Sequence, residues 1–267
     1  MKKTGIVLLA AALIFTLSFT GKEKKVLVYT RNYKSDGKGF VHENIPYSVA
    51  AIIKLGKENG FLVDTSTNPA VFTENNLKQY NAVIFSNSNN EAFANDLQKL
   101  AFRRYVEAGG GFVGIHSSTG SERYWKWFIM MQGATFLRHA VYQKYTIFNF
   151  DKKNATIKGM PDKWVKEDEC YYFKKMNPDI HVVLAADLTT VSDSLKPDMF
   201  YDLSPATWTN RYDGGRQFYT ALGHNPTDYS DATYLLHLKN GIMWVLEGSE
   251  TIDFSKAYAK DINDEVK

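Results

Sequence analysis

The chain has 267 residues, of which 44% are hydrophobic and 14% aromatic, which is enough apolar surface for one substantial core. We expect one domain with decorated loops, and two small domains are the alternative. The formal net charge is only +3, and no Lys/Arg cluster interleaved with aromatic residues is present. We therefore expect no nucleic-acid partner.

Residues 1–20 are typical of a secretory signal peptide. Two lysines precede an uncharged apolar run of 15 residues, Gly5–Phe19. This length suits the apolar region of a signal peptide and is short for a bilayer span. Ser18 and Thr20 are small enough for a cleavage site. The sequence predicts export, either periplasmic or secreted, and the alternative is an uncleaved N-terminal membrane anchor, the one case in which a membrane would be a partner.

The single cysteine, Cys170, excludes an intrachain disulfide. An exported domain without disulfides depends on its core alone, which is feasible at this size. The neighbouring residues DECYYF alternate as in a strand, and free cysteines are among the most buried residue types. We interpret Cys170 as a packed strand residue rather than a nucleophile.

The first half of the chain alternates strands with helices. The predicted elements are a strand at Lys25–Thr30, a helix between Asn44 and Gly60, strands at Phe61–Asp64 and Ala82–Ser86, a helix at Glu91–Ala108 and a strand at Phe112–His116. This alternation predicts an α/β fold with a mainly parallel sheet flanked by helices in three layers. In such sheets, function gathers at the carboxyl ends of the strands.

The second half is richer in strands. The predicted elements are strands at Tyr142–Phe150, Glu169–Phe173, His181–Ala185, Thr207–Trp208 and Gln217–Leu222, and a closing helix at Tyr234–Leu246. We expect the main domain to span 21–250. The charged C-terminal tail, 251–267, is expected to fray.

Histidines stand at strand ends or in adjoining loops, and one of them is expected to follow a helix. These histidines are His42, His116, His224 and, after the helix, His139. If the sheet is parallel, His42, His116 and His224 converge at one edge, where Glu43 and Glu169 are the carboxylates best placed to join them. Such a set suits general acid–base catalysis or a metal site, and the spacing leaves both open because no motif such as HExxH occurs. His181 and His237 are predicted to be structural.

Five segments resemble, in the same order, the motifs of the ThuA-like (trehalose-utilisation) family. They are GFVHENI at 39–45, GGGFVGIHSS at 109–118, WKWFIMMQGATFLRH at 125–139, DECYYF at 168–173 and ATWTNRYDGGRQFYTALGHN at 206–225. The resemblance implies a flavodoxin-like fold similar to that of class I glutamine amidotransferases. The chain departs from the family pattern where Ala140 follows His139 and where residues 154–161 read NATIKGMP, because a His-Pro pair is missing.

The resemblance places His116 where an amidotransferase carries its nucleophilic cysteine. Glutaminase chemistry through a thiolate is therefore excluded at this position. Ser117 lacks the second glycine of a G-x-S-x-G elbow, so we expect it to hydrogen-bond locally or to contact substrate.

The family resemblance also implies carbohydrate metabolism, through glycosides or 3-keto-glycosides. The predicted catalytic residues are His42, His116, Glu169 and His224, and the predicted substrate-binding residues are Glu43, Ser117, Trp125, His139, Tyr171 and Trp208. The aromatic rings either stack on sugar faces or pack in the core. A divalent metal such as Zn²⁺ is a possible cofactor, with His42, His116 and His224 as candidate ligands. The alternatives are a non-catalytic carbohydrate-binding or accessory protein and an interaction protein of an envelope complex, and an oligomer is compatible with all of them.

Overall fold

The computed structural model describes residues 23–37, 39–197, 201–249 and 251–267. The signal peptide predicted at 1–20 lies outside these residues and stays a prediction. Within the described part of the chain, no helix combines the length and the apolar character that crossing a membrane requires.

Strands and helices follow one another through the described residues. The strands are β1 (Lys24–Tyr29), β2 (Asn32–Tyr33), β3 (Phe61–Ser66), β4 (Ala82–Ser86), β5 (Asn89–Asn90), β6 (Gly111–Ile115), β7 (Thr135–His139), β8 (Gln143–Asn149), β9 (Lys163–Asp168), β10 (Tyr171–Lys174), β11 (His181–Asp187), β12 (Leu203–Tyr212) and β13 (Gly215–Thr220). The helices are α1 (Ile45–Asn59), α2 (Glu74–Leu77), α3 (Asp96–Glu107), α4 (Lys126–Gln132) and α5 (Ala232–Glu247).

A large sheet forms the middle layer, in the order β3-β1-β4-β6-β13-β12-β11-β8-β9. The first five of these strands are parallel. Numbered along the chain, they stand in the order 2-1-3-4-5, which is the flavodoxin-like arrangement. The other four continue the sheet as antiparallel neighbours. The predicted α/β fold is confirmed, and the strand-rich second half of the sequence forms the antiparallel extension.

Both faces of the sheet are covered, which explains why its strands are apolar on both sides. Along β1, Val26 and Val28 pack on the face that carries α1 and α5. Leu27 and Tyr29 alternate with them and pack on the opposite face, in an aromatic core with α2, α3 and α4. Side chains of a strand alternate between faces, so this one short segment contributes to both cores. The result is the predicted three-layer architecture.

The helix ends follow local sequence signals. Pro46 occupies the first turn of α1, and Gly60 ends the helix in the left-handed conformation with φ of 75°. The predicted helix at Glu91–Ala108 begins later than expected, at Asp96. The side chain of Asn95 accepts a hydrogen bond from the N–H of Gln98 and so caps α3 at that point.

His139 does not follow a helix directly, as predicted, but ends a strand. Helix α4 is only seven residues long and ends at Gly133, whose φ of 104° strongly favours glycine. The chain then runs extended as β7 and pairs antiparallel with β10, so that His139 lies opposite Tyr171. This two-stranded ribbon lies outside the large sheet.

The C-terminal segment, predicted to fray, is hydrogen-bonded to α3 although most of its residues are exposed. Arg103 on α3 is fully buried. Its guanidinium nitrogens donate to the backbone carbonyls of Ile262, Asp264 and Glu265 at 2.7 to 3.3 Å. The charged tail is therefore held by backbone acceptors, which its composition does not reveal.

Candidate functional site

Three of the predicted histidines meet at the carboxyl ends of the parallel strands. His116 directly follows β6, His224 follows β13, and His42 lies in the loop that leads into α1. Their ring centroids lie 4.8 Å (His42 to His116), 5.5 Å (His42 to His224) and 5.2 Å (His116 to His224) apart. The predicted convergence is confirmed, and the chemical roles stay predictions.

Glu169 is the carboxylate that joins the histidines. It lies between β9 and β10, and its Oε2 is 3.5 Å from Nε2 of His116 and 3.3 Å from Nδ1 of His224. Its Oε1 is 3.4 Å from Nε2 of His139. Glu43, the other predicted carboxylate, is exposed to solvent while its neighbour His42 is buried, so the structure does not bring Glu43 into the cluster.

His116 stands on a backbone elbow. Its φ of 51° is unusual for a residue other than glycine, and the ring is fully buried. Its Nδ1 lies 2.7 Å from the carbonyl of Ala221, which can only accept, so Nδ1 carries the hydrogen. Nε2 therefore presents its lone pair to the cluster, where the Tyr171 hydroxyl donates to it at 2.9 Å.

The loop that carries His224 is held by polar groups that the sequence analysis did not single out. The side-chain amide of Asn44 donates to the carbonyls of Gly223 and His224 at 2.5 and 2.9 Å. The Tyr229 hydroxyl donates to the same Gly223 carbonyl, and Asp168 accepts the Gly223 N–H. Asn44 directly precedes α1, yet its side chain makes no cap bond and holds this loop instead.

A buried ion cluster lies directly behind Glu169. Lys166 forms ion pairs with Asp168, at 3.2 Å, and with Asp228. Asp168 also accepts the backbone N–H of Glu169 at 2.8 Å. The buried cluster thereby fixes the backbone from which Glu169 reaches the histidines.

The surroundings separate the charge states of the site residues. Burial, assisted by the neighbouring His116 and His224, lowers the pKa of His42 to about 3, so its ring is neutral near pH 7. Burial opposes ionisation of Glu169, but its interactions with the neighbouring His116 and His224 outweigh burial and hold the carboxyl pKa below its usual range. The hydrogen bond to Glu169 raises the pKa of His224, against burial.

A cleft of about 330 Å³ opens onto this cluster. Beside His42 and Glu169, its wall includes Phe40, Ser117, Arg123, Phe136, His139 and Tyr171. The predicted substrate-binding residues Ser117, His139 and Tyr171 thus line the same cleft as His42 and Glu169, whereas His116 and His224 do not line it. Ser117 lies 3.3 Å from Nδ1 of His42 and donates to the carbonyl of Ser88.

Arg123 is a cleft residue that the sequence analysis missed. Its guanidinium donates to the carbonyl of Gly120 at 2.8 Å and to the Asn89 side chain at 3.1 Å. Among the described residues, no carboxylate lies within ion-pair distance of it. An isolated arginine in a loop has no local pattern, and only its position in the fold reveals it.

The two tryptophans predicted to bind substrate do not line the cleft beside the histidine cluster. Trp208 is fully buried, its ring centroid is 4.3 Å from that of Tyr219, and its Nε1 donates to the Gln132 carbonyl. Trp125 packs on the aromatic core, donates to the carbonyl of Ile262, and lines a separate cavity of about 730 Å³. Binding of substrate by either ring stays a prediction.

The remaining predictions concern residues outside the chemistry. Cys170 is buried, and burial raises its thiol pKa to about 12, as expected of a packed residue. His237 is buried within hydrogen-bond distance of Thr220. His181 pairs with Asp151 on the surface. Neither histidine belongs to the cluster, in agreement with the structural roles predicted for them.

Comparison with known proteins identifies the family. The family model described as ThuA, trehalose utilisation, matches residues 25–245. The chain belongs to the ThuA family. Membership in the ThuA family implies a role in trehalose utilisation or, more broadly, in carbohydrate metabolism. No curated protein sequence matches the chain.

Solved structures share the fold of this ThuA-family chain. A ThuA-like protein from Bacteroides uniformis ATCC 8492 is 21% identical, with 88% of this chain and 96% of that chain covered and a TM-score of 0.69. A ThuA-like protein from Parabacteroides merdae ATCC 43184 is 19% identical, covers 91% and 100%, and has a TM-score of 0.64. A cytoplasmic protein from Salmonella typhimurium LT2 is 12% identical, covers 83% and 99%, and has a TM-score of 0.59. At these identities the likeness concerns the fold alone.

Proposed function

We propose that this ThuA-family chain is an enzyme of carbohydrate metabolism whose reacting centre is the cluster of His42, His116, His224 and Glu169. The observation that carries the proposal is that one potential donor atom from each of the four side chains lies within 4.8 Å of the others. Titratable groups with separated charge states in a cleft are typical of catalytic sites.

The site suits chemistry on a carbon next to a ketone, as in a 3-keto-glycoside. His42 lines the cleft with a neutral ring, so it is the group placed to accept a proton from that carbon. Because the low pKa makes the ring a weak base, stabilisation of the enolate must supply much of the rate enhancement. The electron pair then moves onto the ketone oxygen, and the Tyr171 hydroxyl, which donates to His116 in this structure, stabilises the enolate if it turns to that oxygen. Return of the proton to the former ketone carbon, with the proton of the neighbouring hydroxyl moving to the enolate oxygen, gives isomerisation. Departure of a β-substituent with its bonding electron pair gives elimination.

The cleft walls fit a sugar. Its volume of about 330 Å³ lies at the lower end of the range for small-molecule sites. Phe40 and Phe136 present apolar surface for the C–H face of a ring, and Arg123 and His139 offer polar groups for hydroxyl oxygens. We therefore propose a carbohydrate with one ring in the cleft as the partner.

Activity assays test this proposal directly. Purified protein is incubated with 3-keto-trehalose, 3-keto-glucosides and trehalose, and products are followed by chromatography. We expect turnover of at least one substrate and a loss of about 10²- to 10⁴-fold in His42→Gln, typical of a general base. His181→Gln, which alters a surface histidine outside the cluster, is the matched control and should keep the activity.

The accessory-protein alternative gives a different result in the same experiment. Sugar binding measured by calorimetry, without product from any substrate, would indicate a carbohydrate-binding protein rather than an enzyme. Full turnover by His42→Gln would show that this residue is not the general base.

We further propose that the chain is exported. The support is the lysine pair and the apolar run within residues 1–20. Mass spectrometry of the protein recovered from the periplasm or the medium should show a new N-terminus near residue 21. Recovery of the full-length chain in the membrane fraction would favour the uncleaved anchor, and recovery in the cytoplasm would overturn export.

A further inference from the structure

Three donor atoms of the site form a nearly equilateral triangle. Nδ1 of His224 is 3.3 Å from Nε2 of His116 and 3.3 Å from Oε2 of Glu169, and the third side, between His116 and Glu169, is 3.5 Å. Zinc bonds of about 2.0–2.2 Å in a tetrahedral site place neighbouring donors roughly 3.3–3.5 Å apart. The triangle already has the dimensions of one face of such a site.

We propose that His116, His224 and Glu169 bind one divalent transition metal ion of the zinc class, at a position beside His42. A donor atom of His42 lies within 4.8 Å of the other three, so the proposed general base stands next to the ion without being needed as a ligand. The claim that this metal serves catalysis rests on the proposed function, whereas the claim that it binds rests on the geometry alone.

All three atoms of the triangle are able to turn a lone pair to a cation. Nε2 of His116 carries a lone pair, because Nδ1 donates to Ala221, and the Glu169 oxygen is also an acceptor. Without a metal, the Tyr171 hydroxyl donates to this Nε2, and Nδ1 of His224 lies within hydrogen-bond distance of Glu169. A cation at the centre of the triangle replaces both of these hydrogen bonds and is bound by all three donor atoms at once.

The residues around the triangle orient its members as a metal site requires. The Ala221 carbonyl fixes the His116 ring, and Ser117 lies 3.3 Å from Nδ1 of His42, beside the triangle. With a metal on Nε2 of His116, the Tyr171 hydroxyl no longer donates to that atom. It is then free to donate to an oxygen bound to the metal.

The donor chemistry selects the class of ion. Imidazole-rich sets with one carboxylate suit zinc and its first-row neighbours, whereas magnesium and calcium prefer oxygen donors throughout. Co²⁺ is the appropriate probe because it replaces zinc and gives intense visible bands when tetrahedral, against weak bands when it is octahedral in water.

The experiment is a titration of the chelator-treated, dialysed full chain with Co²⁺. We expect one equivalent to bind with tetrahedral-type bands, and Zn²⁺ to displace it. His224→Ala and Glu169→Gln should each weaken binding by at least about 100-fold, while His181→Ala, which alters a surface histidine, should bind like wild type. Circular dichroism of each variant establishes whether it is folded. If one of the two cluster variants does not fold, the other variant alone decides the test.

Two results would overturn the proposal: folded wild-type protein that binds no Co²⁺, or binding that is equal in wild type and in both cluster variants. Metal binding and sugar turnover are tested by separate measurements, so one proposal can be contradicted without the other. Full turnover by metal-free protein would show that the metal is not needed for catalysis and would still support the proposed enzyme activity. Tight tetrahedral Co²⁺ binding by a protein that turns over no sugar would support the metal site and contradict the proposed enzyme activity.

Discussion

Two polar clusters lie back to back in this protein, and they are built on opposite principles. In the ion cluster of Lys166, Asp168 and Asp228, each carboxylate pairs with the lysine and all three side chains are buried. In the histidine cluster, made of His42, His116, His224 and Glu169, lone pairs face one another and one side opens onto a cleft. Adjacent residues, Asp168 and Glu169, belong to different clusters.

The difference distinguishes residues that stabilise the fold from residues that take part in binding or catalysis. A buried charge whose partners are all supplied by the protein leaves nothing for a ligand, so its removal affects folding. A group with an unused lone pair beside a cleft leaves a position for substrate or metal, so its removal affects activity. Substitutions in the two clusters should therefore have opposite signatures.

The largest expected effect is on activity, at Glu169. Glu169→Gln keeps the shape but removes the charge that faces His116 and His224. We expect kcat/KM to fall about 10³-fold, in the range for a lost acid–base or metal-ligand group, with the free energy of unfolding within about 1 kcal/mol of wild type. Kinetics and urea unfolding of the same preparation measure both. A variant that unfolds early but keeps its activity would reverse the comparison.

Asp168→Asn should give the opposite signature. It removes one carboxylate from the buried Lys166 and should lower the free energy of unfolding by about 3 kcal/mol. The folded fraction should lose activity by no more than about tenfold. Asp168 does not line the cleft, but it accepts the N–H groups of Glu169 and Gly223, and the single oxygen of an amide keeps only one of these bonds well. Asp151→Asn, at an exposed ion pair, is the matched control and should change stability by less than about 1 kcal/mol.

Asn44→Ala should show an intermediate effect on both quantities. The amide of Asn44 donates to the Gly223 and His224 carbonyls, which are then left without this donor. We expect a loss of about 2 kcal/mol in stability and about a tenfold loss of activity, as the His224 loop relaxes. Asn59→Ala removes only a local bond to Leu55, so it should leave activity unchanged. Equal activity in both variants would show that the His224 loop does not need this tether.

The smallest expected effect is at His237, and it concerns how the free energy of unfolding depends on pH. Burial lowers its pKa to about 3, below the value of about 6.5 expected in the unfolded chain. Between these values the unfolded state binds the extra proton, so stability falls as pH falls, by up to about 1.4 kcal/mol per pH unit. Urea unfolding between about pH 7 and pH 5 should show a shallower loss in His237→Gln. Identical slopes for the two proteins would contradict this account.

The sequence was sufficient for the fold and for the histidine cluster. The strand–helix alternation is a local pattern, and parallel strands carry their carboxyl ends to one edge whatever their order. His116 and His224 follow β6 and β13, which are adjacent in the sheet, so their meeting follows from topology alone. The antiparallel extension needed no separate signal beyond strand-rich composition.

The choice among nearby polar and aromatic residues could not be predicted from the sequence. Whether Glu43 or Glu169 reaches the cluster depends on which side chain turns inward, and that is set by tertiary contacts. Trp208 lies in a strand whose two faces are both buried, so its pattern is the same for a core ring and for a ligand-binding ring. Arg123 was missed for the complementary reason that loop residues carry no periodicity.

The anchoring of Arg103 has a practical consequence for anyone who trims the protein. A chain shortened at residue 249 would keep every strand and α-helix, and so would look complete by secondary structure. It would nevertheless leave the Arg103 guanidinium with Glu107 as its ion-pair partner but without the acceptors from Ile262, Asp264 and Glu265 and without the neighbouring Tyr258 ring. Such a truncation should express poorly or aggregate, and a proteolytic nick in this segment should loosen α3 and the aromatic layer beneath it.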